Sequence, residues 1–308
     1  MTGVDPAIRG LLGGSAAPGA VRAAARDAGP QRRWAGAVAL GGAGYYAAAA
    51  AVLDPLRHDP AVAPAVRAHA AVTRASHLRQ LGGHARAAAL DGTGLRLALA
   101  SGAVAAGGEV GETGDVWGAG AGAAVADACT GLAADALGRG DAGGAARLLD
   151  RAAPWCVPGS RSAVRYGWVA AETALLRGDP AAALAAATAA LTTARALGSV
   201  RHVLKSRVVR AVAAGLPGSG AGETPAALLA ELDDVAARAL GAGLLPLRWP
   251  ALFAGADLAA RHAEEVPLDT HSRQTAAEGR RHAGLQTVSA LFTRCDRLGR
   301  DLLRESCP

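Results

Sequence analysis

The chain has few aromatic side chains and a single lysine. Phe, Trp and Tyr make up 3% of its 308 residues, which excludes a core of stacked rings and leaves Leu, Val and above all Ala to be buried. Lys205 stands alone and follows Leu204. A Walker-type phosphate loop needs a Gly directly before its Lys, so that nucleotide-binding class is excluded. The same scarcity confines any Schiff-base chemistry to one position, among Arg201, Arg207 and Arg210. Long apolar runs are scarce too. Trp34 to Leu53 carries no charge, but Ala, Gly and two Tyr fill it, whereas membrane insertion draws on Leu, Ile, Phe and Val; no membrane span is expected. The four cysteines, Cys129, Cys156, Cys295 and Cys307, contain no CxxC pair and form neither a disulfide framework nor a zinc site. Met1 to Gly19 lacks a charged segment followed by an apolar one, so no secretory signal is read and a cytoplasmic location is the expectation.

Alanine and glycine dominate instead. The hydrophobic fraction is 51%, most of it Ala, and there are 41 Gly. Ala is the best helix former, so the composition predicts helix wherever Gly and Pro do not interrupt. One phrase occurs twice: Ala136-Leu137-Gly138-Arg139-Gly140-Asp141 returns as Ala174-Leu175-Leu176-Arg177-Gly178-Asp179, each followed by an Ala-rich run. Self-similarity at a fixed spacing of about 20–50 residues marks a repeat architecture. The segmentation follows. Residues 1–28 read as a loosely ordered N-terminal segment with a short helix near Ala20–Arg26, 29–265 as a helical repeat array, and 266–308 as a C-terminal segment with a closing helix. Within the array, helix pairs are predicted at Trp34–Leu40 with Tyr45–Leu56, Ala65–Leu81 with His84–Ala100, and Ala121–Leu137 with Ala142–Ala153. Arg161–Leu176 pairs with Pro180–Leu197, and Val200–Ala214 with Pro225–Leu240. Helices over about Pro250–Glu264 and Ser289–Glu305 close it. The Gly-rich stretch 101–119 reads as a linker, and the stretch with Pro267 and Asp269 stays ambiguous.

These pairs resemble tetratricopeptide repeats, in which a small residue at the turn precedes an Ala early in the second helix. Gly140…Ala145, Gly178…Ala183, Gly44-Tyr45-Tyr46-Ala47-Ala48 and Leu81-Gly82-Gly83-His84-Ala85 carry the likeness. A spacing near 38 and the missing large residue at most first-helix starts, with Trp34 and Trp168 as partial exceptions, depart from the pattern. The resemblance implies an all-α fold of antiparallel helix-pair repeats stacked as an α-solenoid, a TPR-like superhelix. The Arg-for-Lys and Ala/Gly/Val bias suggests a high-GC, actinobacterial-type genome. The looser, long-helix pattern is similar to repeats in large bacterial transcription regulators.

Catalytic motifs do not emerge. Gly118-Ala119-Gly120-Ala121-Gly122-Ala123 imitates a dinucleotide fingerprint, but no apolar strand precedes it. Ser219 lies in a Pro217–Gly220 linker rather than GxSxG, HExxH is absent, and His262-Ala263-Glu264 has no PCxxC partner. Glu278 and His282, at i,i+4, read as an exposed pair. The net charge is +6, yet basic and acidic residues alternate, so direct nucleic-acid binding is not expected. No cofactor or metal is expected. The candidate binding face is the first helix of the second pair, where Arg67, Arg74, His77 and Leu81 fall at helical intervals, extended by Arg165 and Arg201. In helical-repeat arrays the first helices line the concave surface, and Arg there suits carboxylates. The expectation is a non-catalytic scaffold that binds a protein or peptide; the alternative is a ligand- or partner-sensing regulatory module of a transcription complex.

Overall fold

A computed structural model describes residues 5–103, 115–262 and 270–306, the side chains of 270–274 excepted. Residues 104–114 of the expected linker, the stretch with Pro267 and Asp269, Glu264 and Cys307 lie outside the described residues. The described chain is all-α: α1 (Pro6–Gly13), α2 (Pro18–Ala25), α3 (Pro30–Gly42), α4 (Tyr46–His58), α5 (Pro64–Arg79), α6 (His84–Ala98), α7 (Ala121–Leu137), α8 (Ala142–Ala152), α9 (Arg161–Leu176), α10 (Pro180–Ala196), α11 (Val200–Ala214), α12 (Pro225–Gly241), α13 (Leu245–Arg261), α14 (Thr270–Phe292) and α15 (Arg297–Ser306). Each helix from α2 to α15 packs on the next where the connection is short, and the odd-numbered helices α3 to α13 also contact one another in sequence. Six helix pairs therefore share one inner layer.

Local chemistry sets the helix ends. Pro occupies the first turn of α1, α2, α3, α5, α10 and α12, where its missing N–H costs nothing. In the doubled phrase both copies make the same turn. Gly140 and Gly178 sit at φ 77° and 75°, a left-handed conformation that an L side chain rarely adopts. The following Asp then caps the next helix, Asp141 accepting from Gly144 N at 2.7 Å and Asp179 from Ala182 N at 2.9 Å. Replacing such a cap with Ala costs about 1 kcal/mol. The Ala that follows lies at the crossing: Ala145 and Ala183 are fully buried. Interfaces throughout are made this way, with Ala35, Ala37, Ala49, Ala68, Ala70, Ala71, Ala124 and Ala126 all at 0% exposure.

Within the described residues 5–28 the N-terminal segment forms two helices, α1 and α2, the second covering most of the short helix expected near Ala20–Arg26. Asp5 caps α1, and Ile8, Leu11 and Leu12 pack against Trp34, Val38 and Trp117. Burying each such side chain contributes about 1.5–3 kcal/mol, which a composition rich in Gly and Pro conceals. The C-terminal end differs as well. A single helix over Ser289–Glu305 is replaced by two, because the chain turns at residues 293–296 and Asp296 starts α15 by accepting from Gly299 N at 2.7 Å. α13 begins at Leu245 and carries Pro250 in its interior.

The array returns on itself. Leu291 of α14 and Leu302 and Leu303 of α15 share a core with Tyr46, Leu78, Leu81 and Leu245. Ala47 N donates to Arg294 O at 3.0 Å, Arg294 donates to Ala43 O at 2.8 Å, and Ser306 Oγ donates to Leu81 O at 3.1 Å. The last helices are thus seated on the turns of the first two pairs. Among the described residues no helix is long and apolar enough to cross a membrane.

Candidate ligand-binding cavity

The inner helices surround a cavity of about 630 Å³ to which α3, α5, α7, α9, α11 and α13 all contribute. Two indoles, Trp168 of α9 and Trp249 of α13, form part of its apolar wall, and Trp34 of α3 is buried behind it. Trp34 Nε1 donates to Thr73 Oγ1 at 2.9 Å and Trp168 Nε1 to Ser206 Oγ at 2.7 Å. With its N–H group tied off, the Trp168 ring offers the cavity only apolar surface.

Two buried ion clusters stand behind the polar wall. α7 supplies one carboxylate to each, since Asp127, Gly131 and Asp135 fall at i, i+4 and i+8 on one face. In the first cluster Asp127 receives Arg161 and, at 3.2 Å, Arg165. Burial works against this carboxylate, but the two guanidiniums hold it below its usual range. Arg161 also donates to the carbonyls of Trp117 (2.9 Å) and Gly118 (3.2 Å), which fixes the loop entering α7. In the second, Arg79 donates to Asp91 and, at 2.8 Å, to Asp135, and His84 Nδ1 lies 3.3 Å from Asp135. Here two carboxylates share one guanidinium. Burial pushes Asp91 up to about 8, aided by the Asp135 charge and only partly opposed by Arg79. The close approach depends on Gly131, because a Cβ there would land on the Asp91 carboxylate and 2.9 Å from Arg79 Nη2.

Arg201 differs from every other cation in this wall. Its guanidinium donates to Val38 O at 3.1 Å and to Leu12 O, at the end of α1, and to no carboxylate. Burial, then the charges of Arg161 and Arg165, pull it down to about 9. Burial also lowers Arg165. The histidines report the same surroundings: burial, then the Arg74, Arg201 and Arg165 charges, lower His77 to about 3. His202 is pulled well below 6.5 by burial and by Arg201, Arg161 and Arg165. His69, whose Nε2 lies 2.9 Å from Gly120 O, is lowered by burial to about 4.

Of the residues singled out in the sequence, His77, Arg165 and Arg201 line this cavity. Arg67 and Arg74 do not. Arg67 donates to the carbonyl of Arg57 at 3.3 Å. Arg74 is buried between Asp296 at 3.0 Å and Asp54 at 4.0 Å, and ties α5 to α4 and to the turn before α15. At about 100° per residue, His77 is rotated some 60° from Arg74 around α5, enough to put the two on different neighbours. Trp249, Arg79, Arg161 and the three buried aspartates were not legible as site residues. The available signal was the pair of acids set in the apolar run of α7.

Among the described residues no strand precedes Gly118–Ala123, whose last three residues open α7, and the amides of its first three are occupied: Asp115 accepts from Gly118, Ala119 and Gly120 N at 2.9, 2.8 and 2.7 Å. Lys205 faces Glu172 at 3.6 Å and lies over the Trp168 ring. His282 pairs with Gln286. Among the described residues no group of three or more His, Cys, Asp or Glu is placed to hold a metal ion. Compared with known proteins, the chain matches no family model and no curated protein.

Proposed function

We propose that this chain is a non-catalytic sensing module: a tetratricopeptide-like stack of helix pairs, wound tightly enough to hold a small ligand at its centre. The observation that carries this reading is the single cavity wall contributed by six helices from α3 to α13. Its volume, about 630 Å³, falls in the range of about 300–1,000 Å³ typical of small-molecule sites. An extended peptide needs a groove running along the array, whereas the lining residues of the six helices converge on one hollow.

The side chains favour binding over chemistry. A general acid or base works best with a pKa near the operating pH; His77, which lines the cavity, is held at about 3, and Asp91, raised to about 8, is buried against Arg79 and does not line it. Asp127, Asp135 and Glu172 are engaged by basic side chains. Because the ligand touches helices from one end of the array to the other, its binding energy would stabilise the closed arrangement as a whole, which is what a sensor requires.

A thermal-shift screen of small metabolites, paired with native mass spectrometry of the protein purified from its own host, tests this reading. A ligand present at 100 times its Kd stabilises by about 2.7 kcal/mol and raises the midpoint by several degrees. If no small molecule moves the midpoint while acidic peptides do, the sensing reading fails in favour of a peptide scaffold.

A further inference from the structure

The charges around the cavity do not balance, and the imbalance has a location. Arg79, Arg161, Arg165, Arg201 and Lys205 line it; the carboxylates that answer them are Asp91, Asp127, Asp135 and Glu172. On the α5 side carboxylates outnumber guanidiniums, and on the α9–α11 side the reverse holds. Arg161 and Arg165 divide one carboxylate, and Arg201 has only carbonyls. Carbonyl dipoles satisfy the hydrogen bonds of a guanidinium without cancelling its charge, and a buried charge left uncancelled is costly. Arg165 and Arg201 are close enough that the charge of one depresses the other. A single negative charge at this end would relieve both.

The opposite requirement comes from the rings. Trp168 and Trp249 present apolar surface, continued by Val38, Pro246 and Leu247. Resting on the sensing reading above, we propose that the cavity binds a small organic monoanion with a flat apolar body, its carboxylate seated at Arg165 and Arg201 and its body against the Trp168 and Trp249 indoles. Two guanidinium charges on the α9–α11 side lack a carboxylate of their own, one from the Arg161–Arg165 pair and one from Arg201, so an anion seated there is favoured. The guanidinium fork suits a carboxylate in its own plane, and burial from water strengthens the pairing.

Calorimetry on the full chain with 2-naphthoate, 2-naphthamide and 2-naphthyl phosphate tests the assignment. The carboxylate is expected to bind about tenfold tighter than the isosteric amide, the increment of one charge-assisted hydrogen bond, and at least as tightly as the phosphate. Arg201→Gln should erase the preference for carboxylate over amide, Arg201→Lys should keep part of it, and Arg67→Gln, outside the cavity, should leave it intact. Where Arg201→Gln loosens α1 and unfolds the chain, Arg165→Gln carries the same comparison with the α1 contacts in place. Equal binding of carboxylate and amide, both weakened by Trp249→Ala, overturns the anion assignment and leaves a ligand-binding cavity standing. A phosphate that binds tenfold tighter than the carboxylate overturns the monoanion. Failure of all three probes overturns this proposal, and the wider metabolite screen then decides the sensing reading separately.

Discussion

The two ion clusters on either side of α7 are built from the same residue types in inverse proportion. Toward α5 and α6, Arg79 serves Asp91 and Asp135; toward α9, Asp127 serves Arg161 and Arg165. Similar burial therefore moves the groups in opposite senses. The surplus carboxylate, Asp91, is raised to about 8, while Asp127 is held low and the surplus cations Arg165 and Arg201 are pulled down. A carboxylate can shed its excess by taking a proton. A guanidinium cannot do so near neutral pH, so the α9–α11 side keeps a charge that the α5 side is able to neutralise.

The sharpest break in this comparison is Asp127→Asn. It leaves two buried guanidiniums without a counter-charge and should cost about 3–5 kcal/mol, read as a large drop in the urea midpoint. Acid comes next. His69 and His77 are neutral in the fold, lowered to about 4 and about 3, and burial lowers His202 well below 6.5. In the unfolded chain each takes a proton near 6.5. The unfolded state thus binds more protons between pH 6.5 and about 4, and stability falls as pH drops through that window, by about 1.4 kcal/mol per histidine per pH unit. Asp91 acts in the other direction. Its folded value lies near 8 and its unfolded value near 3.9, so the native state holds an extra proton in between, and its contribution is lost as pH rises toward 8. Urea unfolding across pH should show a maximum near 6.5, with a steep acid limb and a shallow alkaline one. A maximum displaced above pH 8 would contradict the Asp91 assignment, and a flat limb between pH 6.5 and about 4 the histidine one.

Gly131→Ala places a methyl group on the Asp91–Arg79 contact and should cost about 1–3 kcal/mol, measurable as a lowered midpoint with little change in helicity. The smallest effect belongs to Asp91→Asn. An amide imitates the protonated acid, so stability at pH 6 should stay within about 1 kcal/mol of the parent, and the alkaline decline should vanish. If Asp91→Asn is as damaging as Asp127→Asn, the two clusters are equivalent after all.

Helix positions were readable because Pro and Gly punctuate this sequence so regularly: Ala121–Leu137, Arg161–Leu176 and Val200–Ala214 match the predicted ranges at both ends. α14 was not, since its polar composition and its interior Gly279 and Gly284 give no helical stripe to follow. α1 was hidden for the opposite reason: its order comes from Leu11 and Leu12 meeting Trp34 and Trp117, partners remote in sequence. The site divides along the same line. Helical spacing grouped Arg67, Arg74 and His77, but only the packing of α4 and the 293–296 turn decides that Arg74 leaves the face that His77 keeps. Arg165 and Arg201 lie on different helices, and their meeting depends on how tightly the array winds.

The alanine interfaces carry a consequence for how this protein tolerates change. In most cores damage comes from deletion, when a large side chain is cut back and a void opens. Here Ala35, Ala49, Ala71, Ala124 and Ala187 have only a methyl group to lose, and each is sealed at 0% exposure against a neighbouring backbone or side chain. Truncation to Gly costs about 1 kcal/mol of helix propensity at such a site, whereas enlargement to Val or Leu must push two helices apart. The interior is vulnerable to growth rather than to loss, and a substitution scan should find Ser and Gly tolerated at positions where every larger apolar residue fails.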